Sequence, residues 1–185
     1  GQVLIARRRT LVHARQVEPQ LHAVQAAATF HEILLAVLGV DDRPARGADV
    51  LRPLSTEHPD DETFAGLLIA RPEGRIFFLN AQSVAEQLNA LVAQYQPRVV
   101  ALDMSRVPDI EYSALQMLIE GERRAPARGF ELWVVGLNPG VLEMVRSAGL
   151  AERLGRERML FNARAAIARY QSLQAAGTMA PAAES

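Results

Sequence analysis

Val99-Val100-Ala101-Leu102 is an unbroken apolar run that stops at Asp103. A strand with apolar residues on both sides of its pleat must be covered on both faces, as a central strand of a largely parallel sheet is. Residues 130–135, with Leu132-Trp133-Val134-Val135, read as a second strand of this kind. Between and after these runs the periodicity becomes helical. Leu115, Leu118 and Ile119 give the inner face of a helix expected to begin near Asp109 and to close at Pro126 and Gly129. Asn138-Pro139 supplies an N-cap with proline at the first helical position, Leu142 and Val145 face inward, and Gly149 ends that helix. Met159-Leu160-Phe161 reads as a short strand, and Asn162 caps a last helix through Ile167, Tyr170 and Leu173.

Upstream, Leu67-Leu68-Ile69-Ala70 and Arg75-Ile76-Phe77-Phe78-Leu79 read as two strands of an antiparallel hairpin, turned at Arg71-Pro72-Glu73-Gly74. Asn80 is the expected N-cap of a helix whose apolar face is Val84, Leu88, Leu91, Val92 and Tyr95, stopped by Pro97. Strand, strand, then alternating helix and strand makes an α/β fold: a mixed sheet, an N-terminal hairpin followed by parallel strands, with helices packed against it. Leu21, Val24, Ala28, Phe30, Leu34, Val37 and Leu38 predict a further helix over residues 19–39. The expected organisation is a helical appendage or juxtamembrane segment at 1–45, a linker at 46–63, an organised domain at 64–175 and a disordered tail at 176–185. The linker reading rests on Gly47, Pro53 and Pro59, and the tail reading on its Ala and Pro content.

Composition narrows the chemistry. All 20 basic residues are Arg, and neither Lys nor Cys occurs. A Schiff-base lysine, a Walker-A phosphate loop, a thiolate nucleophile, a disulfide framework and a cysteine metal site are therefore excluded. The four His lie at or before position 58, so a Ser-His-Asp triad or a His-ligated zinc cannot be assembled from residues 59–185 alone. Net charge is −1, which gives no general electrostatic reason to bind nucleic acid. The longest apolar run, residues 33–40, is far short of the roughly 20 residues that cross a bilayer. Val3-Leu4-Ile5-Ala6 followed by Arg7-Arg8-Arg9 fits either the cytosolic end of a membrane span or a solvated terminus.

His58-Pro59-Asp60-Asp61-Glu62 resembles the zinc string of the N-acetylglucosaminyl deacetylases. In that family the string follows a buried strand and a further His completes the ligand set. Residues 51–57 make a poor buried strand and no His follows position 58, so an acidic solvated loop without metal is expected. The lone Trp133, in an apolar run, reads as core. Arg156, Glu157 and Arg158 read as a solvated charge cluster.

The segment from Asp103 to Leu115 leaves the carboxyl end of a central strand and enters a helix, where sites form in open parallel sheets. Ser113 falls in the first helical turn, whose unpaired N–H groups favour a phosphate. Asp109 also reads simply as an N-cap, and Ser113 as an ordinary first-turn residue.

Here the chain resembles a STAS domain, in particular the cytosolic C-terminal domain of bacterial SulP-family anion permeases. The resemblance covers about residues 47–170. It is carried by Asp49-Val50-Leu51-Arg52-Pro53, Arg75-Ile76-Phe77-Phe78-Leu79-Asn80-Ala81, Val99-Val100-Ala101-Leu102-Asp103, Val107-Pro108-Asp109-Ile110, Gly136-Leu137-Asn138-Pro139 and Gly155-Arg156-Glu157-Arg158-Met159-Leu160-Phe161-Asn162. In stand-alone anti-sigma factor antagonists of this family the equivalent loop reads Asp-Ser-Ser-Gly-Leu, and its second Ser is phosphorylated. Aligned on Leu115, this chain has Glu111, Tyr112, Ser113 and Ala114, which puts Ser113 at the phosphoacceptor position. The resemblance implies a regulatory loop of Asp103, Asp109, Glu111, Tyr112 and Ser113, with no catalytic residue and no cofactor. It also implies a non-enzymatic domain at the cytoplasmic face of the inner membrane, whose partner is the transporter's own membrane domain. A homodimer or a cytosolic regulatory protein is a further partner it allows; nucleic acid is not. The alternative is a free anti-sigma factor antagonist under serine phosphorylation.

Overall fold

The computed structural model describes the backbone of residues 35–40 and 51–53, and residues 64–177 in full. One six-stranded sheet runs in the order β2-β1-β3-β4-β5-β6. Its strands are β1 (Leu35–Val40), β2 (Leu51–Pro53), β3 (Leu67–Pro72), β4 (Val99–Asp103), β5 (Glu131–Val135) and β6 (Met159–Leu160). Strands β3 to β6 are parallel, with Ala101 opposite Ile69 and Trp133, and β1 is antiparallel to both β2 and β3. The helices are α1 (Phe78–Tyr95), α2 (Tyr112–Arg124), α3 (Pro139–Ser147), α4 (Leu150–Leu154) and α5 (Ala163–Ala175). The expected mixed α/β sheet is present.

The apolar runs do what two-sided strands require. Leu68, Ala70, Val100, Leu102, Leu132 and Val134 face one way and pack with Val84, Leu91, Leu115, Val141 and Leu150 from α1 to α4. Leu67, Ile69, Val99, Ala101, Trp133 and Val135 face the other way, against Ala166, Ile167 and Tyr170 of α5. Trp133 is core, as expected, with Arg169 stacked 5.7 Å from its ring centroid and its indole N–H donating to Glu131 at 3.1 Å. The Tyr170 hydroxyl donates to the Ala65 carbonyl at 2.7 Å, tying α5 to the chain entering β3. Asn138 and Asn162 cap α3 and α5 by accepting from Val141 and Ala165.

Several local expectations are corrected. Residues 35–40, expected at the end of a helix, form β1, because an eight-residue apolar run suits a strand equally well once β3 offers an edge to pair with. Residues 51–53, expected in a linker, form β2 against β1, so the expected breaks at 45 and 63 do not coincide with the edge of the sheet. The antiparallel partner of β3 is β1, not residues 75–79. Ile76 makes only an isolated parallel bridge to Ile110 before the chain turns into α1 at Phe78. Asn80 is the cause: it is the third residue of α1, and its side chain accepts the Phe77 N–H at 2.9 Å and donates to the Arg75 carbonyl at 2.9 Å. Arg158 is not a free surface charge. It joins Arg153 on the buried Glu122 carboxylate, at 3.2 and 2.6 Å, binding α2 to the chain around α4. The expected helix over 19–34, the Val3 to Arg9 segment, the His58 to Glu62 string and the tail from 178 lie outside the described residues.

Candidate functional site at the carboxyl edge of the parallel strands

Parallel strands place all their following loops at one edge; Asp103 ends β4, Asp109 and Glu111 belong to the connection that follows it, and Tyr112 and Ser113 open α2. They divide into an anchor and a displayed surface. Asp103 is the anchor. It is 2% exposed, and one of its carboxylate oxygens accepts from both Nε and Nη2 of Arg71 on β3, at 3.0 and 2.7 Å. Its other oxygen accepts the Ser105 N–H at 3.0 Å, shaping a 3-10 turn over Met104–Arg106. The ion pair stabilises the start of the loop only because both carboxylate oxygens are satisfied; a buried carboxylate without partners would cost several kcal/mol.

A neighbouring loop holds the same segment from the β5 side. Gly136 sits at φ +67, and a Cβ there would lie 3.0 Å from Asp103 Oδ1 and 3.1 Å from Ser105 Cβ, so glycine is required for both conformation and space. Asn138, while capping α3, donates from Nδ2 to the carbonyls of Val107 and Pro108 at 2.8 and 3.2 Å.

The third support comes from the β3–α1 loop. Gly74, Ile76 and Glu111 make backbone hydrogen bonds across to this segment: Gly74 N–H to the Arg106 carbonyl, Ile76 N–H to the Asp109 carbonyl, and Glu111 N–H to the Ile76 carbonyl, at 3.1, 3.1 and 2.8 Å. These keep residues 109–111 extended, which is why α2 begins at Tyr112 and not near Asp109. An exposed Arg75–Asp109 ion pair at 2.9 Å runs alongside. Glu111 is the N-cap residue of α2, yet its carboxylate does not cap its own helix. It accepts the Phe78 N–H, the first of α1, at 3.1 Å.

Tyr112 and Ser113 occupy the first two positions of α2 and are both exposed. The structure thus groups Asp109, Glu111, Tyr112 and Ser113 at the surface and sets Asp103 beneath them. The residues that sequence reasoning did not bring to this site are Arg71, Phe78 and Leu79. Phe78 and Leu79 are 66% and 67% exposed, beside Tyr112 at 64%. Phe161, 89% exposed, follows β6 at the same edge. Among the described residues, four of the five exposed large apolar side chains belong to the edge where the loops gather, the fifth being Met117 within α2. Among these residues no helix is long and apolar enough to cross a membrane.

Residues 58–167 match the model of the STAS domain family. High affinity sulfate transporter 2 of Stylosanthes hamata is 27% identical over 164 residues, covering 80% of this chain and 24% of the transporter. The chain therefore spans about a quarter of that relative's length. A sulfate transporter family protein from Wolinella succinogenes is similar in structure, with TM-score 0.54 and 25% identity over 65% of this chain and 96% of that one. An anti-sigma factor antagonist in its unphosphorylated form shares the fold, with TM-score 0.50 and 13% identity over 60% of this chain and 93% of that one. With the family model spanning well over half of its length, the chain belongs to the STAS domain family.

Proposed function

We propose that the chain is the cytosolic, non-enzymatic regulatory domain of a SulP-type anion transporter, and that it acts through the loop bearing Ser113. The observation that carries this reading is the pairing of a sulfate-transporter relative more than three times its length with an apolar carboxyl edge on this domain. Phe78, Leu79, Tyr112 and Phe161 leave large apolar surface in water, which marks an interaction face. Its occupant is the membrane domain of the same polypeptide, which lies at a fixed high effective concentration beside it. Ser113 is the phosphoacceptor of this face: it is exposed, on the second residue of a helix, where phosphate meets unpaired backbone N–H groups. Asp109 and Glu111 oppose that charge, so the modification changes the docking face more than the fold.

The complete reading frame tests the assignment. Several apolar segments of about 20 residues upstream of Gly1 are expected. A frame that holds only this domain would overturn the transporter reading in favour of a free anti-sigma factor antagonist.

A further inference from the structure

We propose that Glu111 is a positioning residue that couples Ser113 to the exposed first turn of α1, so that negative charge at Ser113 releases Phe78 and Leu79. The inference rests on the reading of Ser113 as the regulated position. Glu111 belongs to two helix starts at once. Its backbone carbonyl accepts the Leu115 N–H as α2 begins, and its carboxylate accepts the Phe78 N–H 33 residues away in sequence. Its own N–H is held by the Ile76 carbonyl at 2.8 Å, so the residue cannot follow one helix without pulling on the other segment.

Phe78 N–H is one of the first-turn donors of α1 with no partner inside the helix, and Phe77, the N-cap residue, contributes no side-chain cap. The Glu111 carboxylate does that work from the neighbouring loop. Ser113 is two residues further on, at the start of the same α2 turn. A phosphate there adds about −1.5 to −2 charge two residues from Glu111 and competes for the favourable field of the helix starts. Repulsion moves the carboxylate off Phe78 N–H, and the turn that displays Phe78 and Leu79 loses one of its two capping side chains, Asn80 keeping the Phe77 N–H. The groups around Glu111 are of mixed sign: Asp109 is partly offset by Arg75 in an exposed ion pair, and the carboxylate of Glu111, on the Phe78 N–H, is the charge whose displacement is read.

The test is amide exchange of Phe78 and Leu79, followed by NMR in the 185-residue chain with Ser113→Glu, Ser113→Gln and Glu111→Gln. Losing a cap raises the local opening constant about 2- to 30-fold, so Ser113→Glu is expected to speed both amides by that factor. Ser113→Gln, which adds bulk without charge, is expected to leave them unchanged. In the Glu111→Gln background the Ser113→Glu effect is expected to disappear, because the neutral amide can still accept from Phe78 but is not repelled. Protection at Val100 reports the core throughout and should not change. Unchanged Phe78 exchange in Ser113→Glu, an equal acceleration in the Glu111→Gln background, or loss of Val100 protection alongside Phe78 would each overturn the coupling. This readout needs no kinase, membrane domain or transport, so its failure is distinct from failure of the transporter reading.

Discussion

Arg71 and Asp103, 32 residues apart and on adjacent parallel strands, share one carboxylate oxygen through two guanidinium nitrogens at 3.0 and 2.7 Å. Asp103 is 2% exposed and the Arg71 side chain 14%, so the pair is largely out of water. Asp103→Ala is expected to destabilise the domain by about 3–5 kcal/mol, because it strands the guanidinium. Arg71→Met with Asp103→Leu should cost clearly less than Asp103→Ala alone. Urea unfolding of the two variants checks this; equal losses in both would show that the charges themselves add little beyond packing.

Two glycines should respond with opposite signs. Gly136→Ala forces a left-handed residue and pushes a Cβ to 3.0 Å from Asp103 Oδ1, and about 2 kcal/mol or more of destabilisation is expected. Gly121 lies within α2 with no described residue within 4 Å of where a Cβ would sit, so Gly121→Ala should stabilise by about 0.5–1 kcal/mol. Thermal melts of both variants give the signs directly.

Alkaline pH probes the buried tyrosines. Burial raises both Tyr95 and Tyr170 above the ordinary value of 10.0, with Arg98 and a hydrogen bond from Gln174 partly offsetting the shift at Tyr170. A raised folded value means the unfolded chain ionises first, so their contribution is complete below about pH 10 and is lost as pH climbs through the folded values. Among the described residues the buried Tyr95 hydroxyl has no hydrogen-bond partner, whereas that of Tyr170 donates to Ala65. Tyr95→Phe is therefore expected to be neutral or stabilising at pH 7, and Tyr170→Phe to cost about 1 kcal/mol. Both should flatten the loss of stability above pH 10, which unfolding curves at pH 7 and at stepped alkaline pH would show.

Glu122 receives Arg153 and Arg158 and is 5% exposed. Glu122→Ala leaves two guanidinium groups without their carboxylate, and a loss of about 3 kcal/mol is expected. Both arginines keep some solvent access, which places the figure at the low end of the range for buried pairs. A melting point unchanged within error would reduce the cluster to a surface contact.

What the sequence reveals and what it hides follows from range. Strands β4 and β5, the caps Asn138 and Asn162, and the surface group Asp109 to Ser113 are written in contiguous residues, where apolar runs and cap spacing carry the signal. Strand β1 hides because residues 33–40 are uniformly apolar, so neither a 3.6 nor a 2.0 period stands out, and only pairing with β3 decides. Residues 75–79 hold the aromatic and branched residues of a strand, but Asn80 reaching back to Phe77 starts a helix instead. At the site, the partners of Asp103 and Glu111 lie 32 and 33 residues away. Only the packing of adjacent loops brings Arg71 and Phe78 to them. One local clue was present: an Asn three residues after Phe77 fits a side chain returning to cap the helix start.

The most direct measurement of the central claim is anion transport by the full transporter carrying Ser113→Glu or Ser113→Ala, at matched expression. The Ser113 loop is exposed, so each substitution should change stability by only about ±0.5 kcal/mol and leave the isolated domain's melting midpoint within a few degrees. The account predicts that Ser113→Glu changes the transport rate while the fold persists. Unchanged transport in both variants, with normal expression, would contradict it and make the phosphoacceptor position a silent remnant.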